Sequence, residues 1–137
     1  MGNRLKYRVW STEQKKMYDW SDCIKKGPNF IYGMFIDHRM LGKGCWCIQQ
    51  CTGRKDKNGK LIFEGDIVQV PNNWDKFGMM SGERREVYFY EGGFRLKPRR
   101  IGRGRGYWLE DVENFEVIGN IYENPELLEE NNAQKIM

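Results

Sequence analysis

The stretch from Thr52 to Val70, T-G-R-K-D-K-N-G-K-L-I-F-E-G-D-I-V-Q-V, constrains the fold more tightly than any other part of the chain. Asn58-Gly59 is a dipeptide that favours a tight turn with positive φ, and the apolar residues after it alternate as in a half-buried strand. Glu64-Gly65-Asp66 then reads as a bend opening a second strand. Its Gly permits an unusual φ, and its Asp is placed to bond local backbone. The segment specifies a local fold sharply, and its charges read as turn chemistry.

Composition extends this reading. At 137 residues the chain has one domain's worth of sequence, or a domain with a small appended piece. Hydrophobic content is 39%, with five Trp, seven Tyr and seven Phe, so much of the core must be aromatic. Sixteen Gly suit many tight turns, and the combination favours strands over helices. No apolar run approaches the ~20 residues needed to span a bilayer. The N-terminus M-G-N-R-L-K-Y-R-V-W has no apolar signal region, and Lys6 stands where a myristoylation motif needs Ser or Thr. The expectation is a soluble, cytoplasmic protein, away from membranes. Its four Cys (Cys23, Cys45, Cys47, Cys51) are then expected to stay reduced.

Strands are expected over Leu5 to Trp10, Lys16 to Trp20, Phe30 to Ile36 (an apolar run after Gly27-Pro28-Asn29) and Cys45 to Cys51. Further strands are expected over Lys60 to Phe63, Asp66 to Val70, Glu86 to Tyr90, Phe94 to Lys97 and Phe115 to Tyr122. Asn72 to Arg85 reads as a loop. Glu91-Gly92-Gly93 reads as a hairpin turn with its glycines where positive φ is needed. Asn124-Pro125-Glu126 carries the signature of a helix start, so a short helix is expected from Pro125 to about Glu130.

These motifs carry a resemblance. K-Y-R-V-W at Lys6–Trp10, K-K-M-Y at Lys15–Tyr18, Q-x-T-G-x-K-D-K-N-G-K-x-I-x-E-G-D-I-V from Gln50 to Val68, and E-V-I-G-N-I-Y-E-N-P-E-L-L from Glu116 to Leu128 resemble the YopX family of phage and prophage proteins. The resemblance implies a mainly β protein with a small, partly open, SH3-like barrel in the C-terminal part. An N-terminal β extension and a short C-terminal helix complete it. The expected organisation is an N-terminal β piece over residues 1–44, the barrel over 45–130 and a frayed tail over 131–137. The family supplies no catalytic residues to carry across. Two departures stand out: Cys51, where the family more often has an aromatic or apolar residue, and the arginine-rich stretch from Arg99 to Tyr107.

That stretch belongs to the main candidate for binding. Arg95, Lys97, Arg99, Arg100, Arg103 and Arg105 lie between Phe94 and Trp108 with no carboxylate among them. The chain nets +4, so these six charges leave −2 for the remainder. A Gly-Arg-Gly-Arg-Gly backbone can lay guanidinium groups along phosphates, and Tyr107 and Trp108, with Trp74 on the neighbouring loop, offer rings for unpaired bases. Two other readings fit. The stretch could be a solvated loop. It could also pair with the acidic segment from Glu110 to Glu130, which holds eight carboxylates and no Lys or Arg, within one chain or between subunits.

Two other constellations are weaker. Cys45, Cys47 and Cys51 with His38 suggest a zinc site, but on a strand Cys47 and Cys51 lie ~13 Å apart, too far to share one metal. They read better as small semi-buried hydrophobes. Asp56, Glu64, Asp66 and His38 supply no nucleophile–base set, and Asp56 reads as a solvated turn residue. Gly102–Gly106 lacks the context of a phosphate-binding loop. The expectation is therefore a protein that is not an enzyme, with no cofactor and no metal. It would act as a phage or prophage accessory binding protein associated with nucleic acid through Arg95, Lys97, Arg99, Arg100, Arg103, Arg105, Tyr107 and Trp108. The alternative is a module that binds a host or phage protein, or forms a homo-oligomer, without nucleic acid.

Overall fold

The computed structural model describes residues 6–41, 44–71, 82–97, 107–109 and 114–128, apart from the side chains of His38, Met40 and Tyr107. The chain is mainly β and divides into two compact units, Met1–Gly53 and Arg54–Met137.

In the first unit, β1 (Tyr7–Ser11) pairs antiparallel with β2 (Lys16–Tyr18) on one side and with β3 (Trp46–Lys55) on the other. Val9 sits opposite Tyr18 and Ile48 in register, and it is fully buried. The other face of β1 is buried as well. Arg8 lies opposite Gln49 and donates from Nε to Gln49 Oε1 at 2.7 Å. A buried guanidinium is tolerable because a partner accepts its proton.

One segment expected as a strand, Phe30 to Ile36, is helical, and another ends two residues early. The strand at Lys16 stops at Tyr18, because Asp19 caps helix α1 (Trp20–Lys26). Asp19 accepts the Asp22 N–H at 2.8 Å while the Asp22 carboxylate takes the Asp19 N–H at 3.3 Å. This reciprocal capping satisfies two donors that a helix start otherwise leaves orphaned. Gly27, at φ 94°, ends α1, and Pro28 begins helix α2 (Pro28–Phe35). The run from Phe30 is thus a helix face, started by a proline whose missing N–H costs nothing at that position. A 3-10 turn follows at His38–Leu41. The aromatic core expected from composition is present here: Val9, Tyr18, Cys23, Met34, Leu41 and Trp46 form it, with Tyr7, Trp20, Phe30 and Ile48 packed against it. Tyr18, Phe30 and Trp46 have mutual ring-centroid distances of 5.6–5.9 Å, within the range of favourable aromatic pairs.

In the second unit, the end of β3 turns through residues 56–60 into its hydrogen-bonded neighbour β4 (Leu61–Phe63). A five-stranded antiparallel sheet follows in the order β8-β7-β6-β5-β9, built from β5 (Asp66–Gln69), β6 (Arg84–Tyr90), β7 (Gly93–Leu96), β8 (Tyr107–Trp108) and β9 (Glu116–Asn120). The sheet curls into a half-barrel around Ile62, Val68, Val70, Val87, Phe94, Leu96, Leu109, Phe115 and Val117. Fully burying an aliphatic side chain of this kind contributes roughly 1.5–3 kcal/mol. Residues 126–128 form the described part of the C-terminal helix.

Gly65 and Asp66 act as the sequence suggests. Gly65, at φ 89°, donates to the Val87 carbonyl at 2.7 Å and accepts the Ile121 N–H at 2.8 Å, so it ties β6 to the exit of β9. The buried Asp66 carboxylate accepts the Phe63 N–H at 2.8 Å and closes the bend.

Asp56 corrects the expectation of a solvated side chain. It is buried, and its carboxylate accepts three backbone N–H groups: Asn58 and Lys60 on Oδ1, Val117 on Oδ2, each at 2.9 Å. The Lys57 N–H donates to the Phe115 carbonyl at 2.9 Å, so turn and β9 are laced together. Burial by itself would raise the Asp56 pKa. The N–H groups of Val117, Lys60 and Asn58, with the Lys60 charge, outweigh it and hold the carboxyl below its ordinary value.

Candidate functional site

The strand registers assign each residue of β6, β7 and β8 to a face. Val87 opposes Leu96, and Phe89 opposes Phe94, on the side of the half-barrel core. Alternation puts Tyr88 and Tyr90 of β6, Gly93 and Arg95 of β7, and Trp108 of β8 on the other side. Sequence-adjacent residues therefore part company: Leu96 joins the core while Arg95 faces outward beneath Trp108.

Arg95 is buried although it faces outward. Its guanidinium carbon lies 3.6 Å from the Trp108 ring centroid, and its Nε donates to the Tyr90 carbonyl at 3.1 Å. A Cβ added to Gly93 would come within 2.2 Å of Trp108 Cζ3, so the edge of the indole abuts the Gly93 backbone. Arg95 is 7% exposed and Trp108 40%. The ring therefore stacks on Arg95, sets its Cζ3 edge against Gly93 and stays partly open to solvent. Gly93 is needed for this close approach, a role that the turn reading did not identify. Glu91, at φ 47°, and Gly92, at φ 83°, are the turn residues with positive φ.

The neighbouring aromatics continue the surface. Tyr88 and Tyr90 are stacked with centroids 5.8 Å apart and an interplanar angle of 17°. Lys97 Nζ lies 5.5 Å from the Tyr88 ring and 3.2 Å from the Glu86 carboxylate. Burial raises the Tyr88 pKa against the opposing pull of Arg95. Tyr90 and Trp108 are exposed on this face, while Phe89, also exposed, lies on the opposite one.

Of the residues singled out in the basic stretch, the structure brings Arg95 and Trp108 into contact and sets Lys97 on the same strand region beside Tyr88. Tyr107 lies in β8 opposite Leu96. Arg99, Arg100, Arg103, Arg105 and Trp74 lie outside the described residues. Tyr88, Tyr90 and Gly93 were not singled out. The alternation of R-E-V-Y-F-Y across a Gly-Gly hairpin was the available signal, because it sets both tyrosines on one face. In the acidic segment, Glu116 lies 3.5 Å from Lys57 and Glu123 accepts from Asn120 Nδ2 at 2.7 Å.

The four Cys are free thiols. Cys45 is exposed, Cys47 half-buried and Cys51 buried along β3, while Cys23 lies in the core of the first unit. Burial, then Asp19 and Asp22, push the Cys23 thiol up to about 11. Burial, then Cys45, raises the Cys47 thiol. Among the described residues, no group of three or more His, Cys, Asp or Glu is arranged to hold a metal ion. No helix among them is long and apolar enough to cross a membrane.

Comparison with known proteins agrees with the motifs. The chain is 31% identical to the SPbeta prophage-derived uncharacterized protein YopX of Bacillus subtilis (strain 168), over 90% of this chain and 95% of that protein. The crystal structure of EF1440 from Enterococcus faecalis superposes with a TM-score of 0.56 at 27% identity, covering 90% of this chain and 96% of that one. The crystal structure of B. subtilis YopX shares the fold with a TM-score of 0.54, over 91% of this chain and 98% of that one. With the YopX protein family model matched over residues 6–129, this chain belongs to the YopX family.

Proposed function

We propose that this protein is a non-enzymatic accessory module of a phage or prophage that binds single-stranded nucleic acid in the host cytoplasm. The outer face of β6, β7 and β8 would be the stacking surface. The observation that carries this reading is the partly exposed Trp108 ring, stacked on Arg95 with its edge against Gly93, on the same sheet face as the stacked Tyr88 and Tyr90. Aromatic faces stack on any unpaired base, and each such contact is worth about 1–3 kcal/mol. Lys97 beside this face, with Arg99, Arg100, Arg103 and Arg105 following it in sequence, supplies the phosphate contacts. In this reading Arg95 positions Trp108 and does not itself meet phosphate.

The test is binding of a fluorescent single-stranded oligonucleotide at several salt concentrations. Replacing Arg99, Arg100, Arg103 and Arg105 together by Ala should weaken binding and flatten its salt dependence. Trp108→Ala should weaken it with the salt slope retained. Absence of binding by the unaltered protein at low salt would sink the reading.

A protein-interaction module is the second reading, favoured by a separate observation. Ile24 of α1, Tyr32 and Phe35 of α2, and the adjoining Ile36 are large hydrophobic residues exposed on the first unit. Large apolar side chains left exposed on one unit are candidates for a contact surface. Light scattering separates the two: a discrete oligomer without nucleic acid favours the second reading, and a monomer that shifts only with an oligonucleotide favours the first.

A further inference from the structure

Cys45 and Cys47 flank Trp46, the first residue of β3, and that tryptophan fixes where their side chains go. Trp46 is buried in the aromatic core of the first unit, so its two neighbours point to the other side of the strand. The backbone is held at both positions. Cys47 lies opposite Trp10 in the β1–β3 register. The Cys45 N–H donates to Thr12 Oγ1 at 2.9 Å, and the Cys45 carbonyl accepts the Thr12 N–H at 3.0 Å. Both thiols are free, Cys45 exposed and Cys47 half-buried. They lie near enough for Cys45 to contribute to the raised Cys47 thiol.

We propose that Cys45 and Cys47 form a two-sulfur clamp for a soft monovalent cation, copper(I). An extended chain rises ~3.3 Å per residue, which sets the two Cα atoms ~6.6 Å apart and the two Cβ atoms about as far. A disulfide needs Cβ atoms ~3.8 Å apart, so closing one would tear Cys45 from Thr12 or Cys47 from Trp10. A linearly coordinated ion suits the spacing that a disulfide does not. Two metal–sulfur bonds of ~2.3 Å in line span ~4.6 Å, which the sulfurs reach by leaning toward each other along the strand. Thiolates select soft ions of this kind. Zinc(II) takes four ligands in a closed site, and among the described residues no third His, Cys, Asp or Glu joins the pair. Cys51 is four residues beyond Cys47 on β3, ~13 Å away and out of reach. Binding forms two metal–sulfur bonds, and each thiol releases its proton to solvent.

Anaerobic titration of the full chain with the acetonitrile complex of copper(I), in competition with a chromogenic copper(I) chelator, tests the clamp. One ion per chain is expected, with the sedimentation coefficient unchanged. The second sulfur binds intramolecularly, so Cys45→Ser and Cys47→Ser should each weaken binding roughly a hundredfold or more. Cys45 is exposed, so Cys45→Ser keeps the far-ultraviolet circular dichroism of the unaltered protein and the comparison stands on a folded chain. Trp108→Ala should bind copper(I) as the unaltered protein does, which separates the clamp from the stacking surface. Failure of the unaltered protein to bind, full affinity retained in folded Cys45→Ser, or displacement of copper(I) by equimolar zinc(II) overturns the proposal. Copper-dependent dimers would also overturn it, because the ion would then bridge two chains through Cys45.

Discussion

Asp56 Oδ2 accepts the Val117 backbone N–H at 2.9 Å, joining a turn to a strand 61 residues further along the chain. With the Lys57–Phe115 backbone bond beside it, this contact fixes the β3–β4 hairpin against β9. A carboxylate with three N–H donors is suited to the task, because an acceptor-only group meets donors alone.

Asp56→Asn replaces that group with an amide carrying two donors of its own. The loss of charge-assisted bonds at a buried position should cost about 1.5–3 kcal/mol, read as a lower urea midpoint. The pH dependence has a defined sign. The folded pKa of Asp56 is depressed, so its stabilisation is fully present above the unfolded value near ~3.9 and fades as pH falls through the folded value. Unaltered protein should therefore lose stability on acidification below about pH 4, and Asp56→Asn should lose less over that interval.

Gly93→Ala should displace Trp108, because the added methyl would sit 2.2 Å from the indole. Either the ring swings off β7 or the hairpin distorts, with a stability cost of about 1–3 kcal/mol. Near-ultraviolet circular dichroism and acrylamide quenching report the ring's release. On the proposed function, oligonucleotide binding should weaken in parallel.

Thiol reactivity should follow burial and pKa. With its thiol pushed up to about 11, Cys23 holds only about one thiolate per thousand at pH 8 and is buried as well. Native protein should show Cys45 reacting first with a disulfide reagent and Cys47 more slowly. Cys23 and Cys51 should react only on unfolding. Early modification of Cys23, read by mass spectrometry, would contradict the packing around α1.

Asp19→Ala removes one half of the α1 cap, the bond from the Asp22 N–H to Asp19 Oδ1, while the Asp22 carboxylate can still accept the backbone N–H of residue 19. The expected loss is about 0.5–2 kcal/mol, with hydrogen exchange accelerating first in the amides of 20–23.

The turn residues were the most readable part of this protein. Asn58-Gly59 and Gly65-Asp66 dictate local backbone geometry through φ and short-range hydrogen bonds, so a sequence states them directly. The same local chemistry marks α1 and α2: Asp19 with Asp22 is a capping pair, and Gly27-Pro28 is a helix stop followed by a helix start. Reading those residues as strand and turn punctuation mistook a signal that was present. The family motifs also spanned both units, and they carried the mainly β fold correctly.

Other features have no local signature. That Asp56 is buried depends on Val117, whose arrival through β9 no neighbour of Asp56 announces. That Gly93 makes room for an indole depends on β8 pairing with β7 and setting Trp108 opposite Arg95. Sequence alone determined the turns, the family and most of the strands, since period, φ preference and short-range bonding are properties of contiguous residues. Only tertiary structure decided which charges are buried and which rings face outward, because those follow from register between strands far apart in the chain.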